Sequence, residues 1–375
     1  MLSSGLRVGV VGAGYWGSKH VRTFSSLPDV AHVSVIDPSA ERVRALTRSF
    51  PGLVSFDSLA ASLDCVDAVV IATPPSTHAR LALEAIAAGK HVMVEKPLAT
   101  SVSDARAITE AAAVAGVAAM VGHTFEYHAA VRALHDIVAD PLFGELYYLE
   151  TARLNMGLYQ HDVNVIWDLA PHDISILNSI LGGTPSSVEC WASRHAHRQL
   201  EDIAHMRIRY DVPRVDATVH VSWLHPCKTR LVTAVGSERM AVFDDLATEE
   251  RIRIHNKSVR ESTLSVNDLS TPPMSYRYGD MVAPYLVINE PLAVEDQHFV
   301  DCLTSGARPI TDGENGMAVV EVLEAAELSR VEGRRVEIEE VRQGSATSGA
   351  PPAAALLAPA ALPRQRNGQV AGTLS

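Results

Sequence analysis

The sequence predicts an α/β protein: an N-terminal doubly wound parallel sheet, followed by an α/β domain built on a large, open, mainly antiparallel sheet. Three observations carry this. Short β-branched runs alternate with helical runs from Leu6 to about Gly122, the pattern of successive parallel βα units. After Tyr127 the pattern becomes longer stretches of alternating apolar and polar residues, as in an antiparallel sheet with one covered face. The length of 375 residues exceeds what one ordinary core holds together.

The elements follow in order. "LRVGVVGAGYWG" is a strand ending in glycines, with a helix after it through about Leu27. "AHVSVID" (Ala31–Asp37) is a second strand, and a charged helix covers Ser39 to Ser49. "VDAVVIATP" and "HVMVEKP" are strands, followed by the helices "STHARLALEAIAAG" and "SVSDARAITEAAAVAG". Thr100 or Ser101 caps the latter, with Ser101 and Asp104 in capping-box spacing. "AAMVGHT" is one more strand. Beyond a helix at about Ala129 to Ala139 come the alternating runs "ELYYLETARLN", "SVECWAS", "AHMRIRYD", "DATVHVSW" and "TRLVTAVG". Helical pattern returns at "LAVEDQHFVDCLTSG" and "NGMAVVEVLEAAELSRVEG". These patterns divide the chain into residues 1–126, 127–342 and an Ala/Pro/Gly/Ser-rich tail, 343–375, expected to be disordered.

Composition narrows the function. A net charge of −12 disfavours nucleic acid and anionic membrane surfaces as partners. The four cysteines are widely spaced, with no C-x-x-C pair, as in a reducing compartment. The apolar N-terminal run is broken at once by glycines and then charges, which fits neither a signal peptide nor a membrane span. The expected location is the cytoplasm.

Gly12-Ala13-Gly14-Tyr15-Trp16-Gly17 matches G-x-G-x-x-G. It follows a strand, opens a helix and sits in a βαβ unit, the context of a dinucleotide site. Gly12 permits the tight turn, Gly14 lets backbone approach a pyrophosphate, and Gly17 lets the helix pack on the sheet. Tyr15 and Trp16 belong to the same turn, and Trp16 is better suited to packing than to the cofactor. Asp37, at the end of the second strand, accepts hydrogen bonds from ribose hydroxyls and repels a 2′-phosphate. No Lys or Arg follows it before Arg42, so NAD is favoured over NADP.

Two further stretches bear chemistry. "VEKPLA" puts Lys96 at the carboxyl end of a strand, the ligand-binding edge of open α/β sheets. "WDLAPHD" (Trp167–Asp173) puts Asp168 and His172 four apart, on one face of a helix. Pro171 fits only the first turn of that helix, so the helix is expected to begin near Asp168. This pair reads as a metal site, a proton-transfer site, or a helix start with a packed histidine.

With "ATPPSTH" (Ala72–His78), "EKP", the glycine turn and the later D-x-x-x-H, the sequence resembles the Gfo/Idh/MocA oxidoreductases, from about Leu6 to Ile338. The resemblance implies a Rossmann domain paired with a domain carrying an open antiparallel sheet. It also implies oxidation or reduction of a carbinol on a sugar or cyclitol with NAD(P). It casts Lys96 as the catalytic lysine and Asp168 and His172 as the family's aspartate and histidine. Thr73, Pro74 and His78 become the loop along the dinucleotide, with Glu95 near the nicotinamide. "RLNMGLYQHDVNVIWDLAPHDISIL" and "INEPLAVEDQHFVDCL…RPITDGENG" resemble the branch that includes UDP-N-acetylhexosamine and hexuronate 3-dehydrogenases.

In that frame His172 is the base, Asp168 orients it or holds a substrate hydroxyl, and Lys96 stabilises alkoxide character. His123, Tyr127, Arg153 and Asn155 are further substrate-binding candidates, with Glu126 and His128 beside them. Zinc on Asp168 and His172 with His161 or His123 would face competition from Lys96, so no metal is expected. The expected substrate is a sugar or nucleotide sugar oxidised at C3, with myo-inositol or another cyclitol as the alternative. A non-catalytic NAD-binding regulator and a glycoside-cleaving enzyme working through a 3-keto sugar are the other readings. Apolar alternation in "DATVHVSW" leads us to expect a homodimer or homotetramer.

Overall fold

The structure is a computed structural model and describes residues 5–160, 162–261 and 274–347. Six strands, β1 (Leu6–Val11), β2 (Val30–Ile36), β3 (Val54–Phe56), β4 (Ala68–Ile71), β5 (His91–Glu95) and β6 (Ala119–Gly122), form a parallel sheet in the order β3-β2-β1-β4-β5-β6. Helices α1 (Tyr15–Phe24), α2 (Ala40–Ser49), α3 (Leu59–Ser62), α4 (His78–Ala87) and α5 (Val102–Ala115) connect them. The strand order reverses between β1 and β4, and the crevice at that switch point is where such sheets bind ligands. Every residue of β4 is buried, as expected for a strand covered on both faces. Ser101 caps α5 by accepting from Asp104 N at 3.1 Å, as its spacing predicts.

After α6 (Ala129–Ala139) the chain builds a nine-stranded sheet. Its strands are β7 (Leu146–Met156), β8 (Ser187–Ser193), β9 (Ile203–Asp211), β10 (Arg214–Ser222), β11 (Leu224–Gly236), β12 (Met240–Asp244), β13 (Ile252–Glu261), β14 (Met274–Val282) and β15 (Val336–Glu337). Their order is β14-β13-β12-β11-β7-β10-β9-β8-β15. All pairs are antiparallel except β7 with β10. On β10, Val215, Ala217, Val219 and Val221 face the core while Asp216, Thr218 and His220 point outward. The long helix α7 (Val165–Leu181) covers the inner face.

Helix α7 starts earlier than Pro171 suggests. Asn164, fully buried, accepts from Ile166 N (3.1 Å) and Trp167 N (3.3 Å) and is the N-cap. Pro171 therefore lies in the seventh position, where a proline costs a backbone hydrogen bond. Burial of Val165, Ile166 and Trp167, together with the buried cap, outweighs that cost.

Helices α8 (Pro291–Ser305) and α9 (Gly313–Glu332) return to the first sheet, α8 packing on α1 and α9 on α5 and β6. Between them, Val121 N donates to Thr311 O, and Thr311 Oγ1 donates to Val121 O, both at 2.7 Å. Helix α10 (Ile338–Thr347) corrects the expected start of the tail. It packs on α5 and α9, and the Arg342 guanidinium binds the Glu321 carboxylate at 2.8 and 2.9 Å. The rest of the expected tail, 348–375, lies outside the described residues. Among the described residues no helix is long and apolar enough to cross a membrane.

Candidate active site

The glycine turn fits its assigned chemistry. Gly12 has φ +101°, and a Cβ there would meet Ala72 O at 2.4 Å. A Cβ on Gly17 would lie 1.7 Å from Gly12 O, so the helix approaches the strand as closely as only glycine allows. Gly14 faces open space, and among the described residues no side chain caps α1. The first-turn N–H groups are thus left for an anion. The groove, about 1030 Å³, runs from Asp37 past Thr73 and Pro74 to Glu95 and Lys96, with Tyr15 and Trp16 at its rim. Asp37 is only 6% exposed, and its carboxylate accepts from Ala13 N (2.8 Å) and Ser39 N (2.7 Å). Arg42 reaches to 3.9 Å from the same carboxylate, closer to it than its place in the sequence implies. These residues fit a dinucleotide.

His78 does not line that groove. It is fully buried, its ring nitrogens 2.8 and 2.9 Å from the carbonyls of Pro97 and Thr73. It holds the Thr73 loop against the end of β5 instead of touching a ligand, and burial keeps it below the usual histidine range.

Lys96, Asp168 and His172 gather where the groove meets a second, inner cavity of about 660 Å³. Lys96 Nζ donates to the backbone carbonyl of Asp168 at 2.7 Å and lies 3.5 Å from Asp168 Oδ1. Asp168 Oδ2 accepts from Trp223 Nε1 at 2.9 Å. Asp168 thus steadies Lys96; no hydrogen bond joins it to His172, contrary to the expected orienting role. His172 lines the inner cavity with its ring edge against Phe125, centroids 5.2 Å apart. Its Nδ1 is buried without a partner among the described residues. Desolvation first, then Lys96, Arg153 and Arg230, hold its pKa well below the ordinary histidine value of 6.5. This direction favours the uncharged imidazole at neutral pH.

Of the weaker candidates, Arg153 and Asn155 line the inner cavity, whereas His123 and Tyr127 do not. Tyr127 turns its hydroxyl to Thr311 at 3.0 Å inside the first domain's core. His123 is fully buried, and burial pushes its pKa down to about 4. Both sit behind the cavity wall because the 3₁₀ turn at Thr124–Tyr127 presents Phe125 and Thr124 instead. Among the described residues no group of three His, Cys, Asp or Glu side chains is placed to hold a metal; His161 lies outside them.

Sequence reasoning missed several neighbours. Behind Glu95, the buried His20 bridges Glu95 Oε1 (3.2 Å) and Asp296 Oδ1 (2.9 Å). Burial alone would lower the His20 pKa, but Asp296 and Glu95 raise it well above 6.5. Burial alone would raise Glu95, but His20 and Lys96 hold it below its usual range. Arg230, Asp245 and Arg251 form the far wall of the inner cavity. Only the apolar spacing of "KHVRTF" and the "ED" pair in "LAVEDQHF" hint at any of these in the sequence.

Comparison with known proteins agrees with this geometry. Residues 6–123 match the oxidoreductase family, NAD-binding Rossmann fold, and residues 131–242 match the GFO/IDH/MocA C-terminal domain. The chain is 25% identical over 346 residues to D-apiose dehydrogenase of Paraburkholderia graminis, covering 88% of each. It is 33% identical over 189 residues to UDP-N-acetylglucosamine 3-dehydrogenase of Acidithiobacillus ferrooxidans, covering 49% of this chain and 56% of that one. A crystal structure of the latter superposes with a TM-score of 0.70 at 26% identity, covering 87% of this chain and 96% of that one. The structure of GenD2 from gentamicin A biosynthesis in complex with NAD superposes with a TM-score of 0.75 at 26% identity, covering 90% and 97%. Matched over both its domains, the chain belongs to the Gfo/Idh/MocA family of NAD-binding oxidoreductases.

Proposed function

We propose that this protein is a dehydrogenase that oxidises a secondary alcohol, at C3, of a sugar or nucleotide sugar, or runs the reverse reduction. The observation that carries this is the meeting of Lys96, Asp168 and His172 at the junction of a dinucleotide groove and an inner cavity of about 660 Å³, a volume suited to a small polar ligand. NAD supplies the hydride acceptor when bound. His172 takes the hydroxyl proton, which its depressed pKa leaves it free to do at neutral pH. Lys96, steadied by Asp168, donates to the carbinol oxygen and stabilises the negative charge that grows there. The Phe125 ring fixes the plane of the His172 imidazole in place of a carboxylate.

The same reading assigns a homodimer or homotetramer, a second copy covering the outer face of the large sheet. Support comes from the exposed Trp191 beside His205 and His220, whose rings stack at 3.9 Å. It also assigns the cytoplasm, in keeping with four unpaired cysteines.

The test is to supply NAD with UDP-sugars, free hexoses, inositols and their keto forms, and to follow absorbance at about 340 nm. Turnover of a sugar or nucleotide sugar, lost in Lys96→Ala, supports the proposal. Turnover confined to inositols makes the protein a cyclitol dehydrogenase. NAD binding with no turnover on the whole panel makes it a regulator.

A further inference from the structure

The inner cavity holds more positive charge than its own carboxylates balance. Arg153 is committed to Asp173, with bonds of 2.8 and 3.3 Å. Glu290 is taken by Arg22, and Glu95 by His20. Arg230 and Arg251, however, share a single carboxylate. Arg230 Nη1 donates to Asp245 Oδ2 at 2.9 Å, while Arg251 donates to the Asp245 backbone carbonyl at 2.8 Å and stands 3.5 Å from Oδ1.

A guanidinium carries five N–H donors. Among the described residues each of these two arginines directs only one nitrogen into a hydrogen bond. Their side chains remain 37% and 25% exposed, on the wall they present to the cavity. Backbone bonds fix the group: Asp245 N donates to Arg230 O (3.0 Å) and Asp244 N to Arg251 O (2.8 Å). On the same cavity, Asn155 Oδ1 is buried without a partner among the described residues. Lys19 adds a cation from α1 that makes no ion pair among the described residues, resting instead 5.4 Å from the centre of the Tyr15 ring.

We propose that Arg230 and Arg251 form an anion subsite, so that the substrate carries a carboxylate or phosphate group alongside its reacting carbinol. The proposal rests on the dehydrogenase reading of the same cavity. Asp245 holds the two guanidinium forks in register and occupies part of their charge when no ligand is bound. Planar, paired N–H donors match carboxylate and phosphate oxygens better than they match hydroxyls.

The test uses the full chain loaded with NAD and two matched pairs of probes. UDP-glucuronate against UDP-glucose isolates a carboxylate; glucose 1-phosphate against glucose isolates a phosphate. Binding is read by calorimetry and thermal shift, which need no hydride transfer. In at least one pair the anionic member should bind about tenfold more tightly or better, with a preference that weakens in high salt. Arg230→Gln and Arg251→Gln should each remove most of that preference and leave NAD affinity unchanged. Asp245→Asn should tighten the anionic probe several-fold, by freeing both guanidiniums of their internal partner. A merely structural triad predicts the opposite for Asp245→Asn: lost stability with no gain in binding.

Equal or absent binding within both pairs overturns the subsite, as does an anionic preference that survives both arginine changes in folded, NAD-binding protein. Anion-selective binding without turnover of any substrate overturns the dehydrogenase reading and leaves the subsite standing. Turnover of neutral sugars alone, indifferent to both arginines, does the reverse.

Discussion

Trp223→Phe tests whether Asp168 is held for its work on Lys96. The indole Nε1 donates to Asp168 Oδ2 at 2.9 Å, and Trp223 is 1% exposed. A hydrogen bond to an ionised carboxylate contributes about 1.5–3 kcal/mol. If the transition state depends fully on it, kcat/KM falls roughly 10- to 150-fold. Phenylalanine also leaves a void beside Tyr159, whose ring centroid lies 5.1 Å away, and costs about 1–3 kcal/mol of stability. A double-mutant cycle with Asp168→Ala separates the two effects. Thermal melts read the void, and steady-state kinetics read the bond. The kinetic coupling between the two positions should be about 1.5–3 kcal/mol. Kinetic effects that add to within about 0.5 kcal/mol would refute the reasoning and reduce Trp223 to packing.

His172→Ala should lower kcat about 100-fold or more while NAD affinity holds, since it removes a proton acceptor and no groove residue. The acid limb of the wild-type kcat/KM profile should lie below 6.5, because a depressed pKa keeps the imidazole neutral to lower pH; a limb above that value contradicts its assignment as base. Asp37 should give NAD an advantage over NADP of roughly tenfold. Asp37→Ala should narrow it, with Arg42 then free to meet a 2′-phosphate; equal titration of both by the wild type would refute this. Burial raises the Glu126 carboxyl from 4.5 to about 8. Its contribution to stability is therefore full below about 4.5 and lost as pH rises through about 8. Glu126→Gln should flatten the decline in melting temperature between about pH 4.5 and pH 8, and an unchanged decline would count against it.

What was legible in the sequence is what residue type alone dictates. Gly12 and Gly17 announce themselves because no side chain fits 2.4 and 1.7 Å from a carbonyl oxygen. Ser101 shows as a cap because its partner, Asp104, is three residues away. The strands β9 and β10 are readable because one face of each is buried and the other is not. Strand β14 is exposed along its whole length, so no alternation marks it. Asp168 shares a helix face with His172, but its carboxylate meets Lys96 and Trp223 instead. Helical spacing gives the neighbour on the same helix, but the groups that bind this carboxylate lie 72 and 55 residues away. The His20–Asp296 contact joins positions 276 residues apart. For Pro171 the local rule was sound but lost to burial of the turn before it.

The seam between Val121 and Thr311 has a consequence for how the protein is made. Synthesis is vectorial, and 190 residues separate these two partners. When β6 leaves the ribosome, its outer edge has no neighbour, and an open strand edge invites pairing with other chains. That edge stays unprotected until all of the large sheet but its last strand, β15, has been translated and the segment after α8 arrives to seal it. The dinucleotide half of the molecule is therefore first to begin and among the last to finish. A fragment ending at Glu290 would carry every residue of the glycine turn and still lack the wall that closes its sheet.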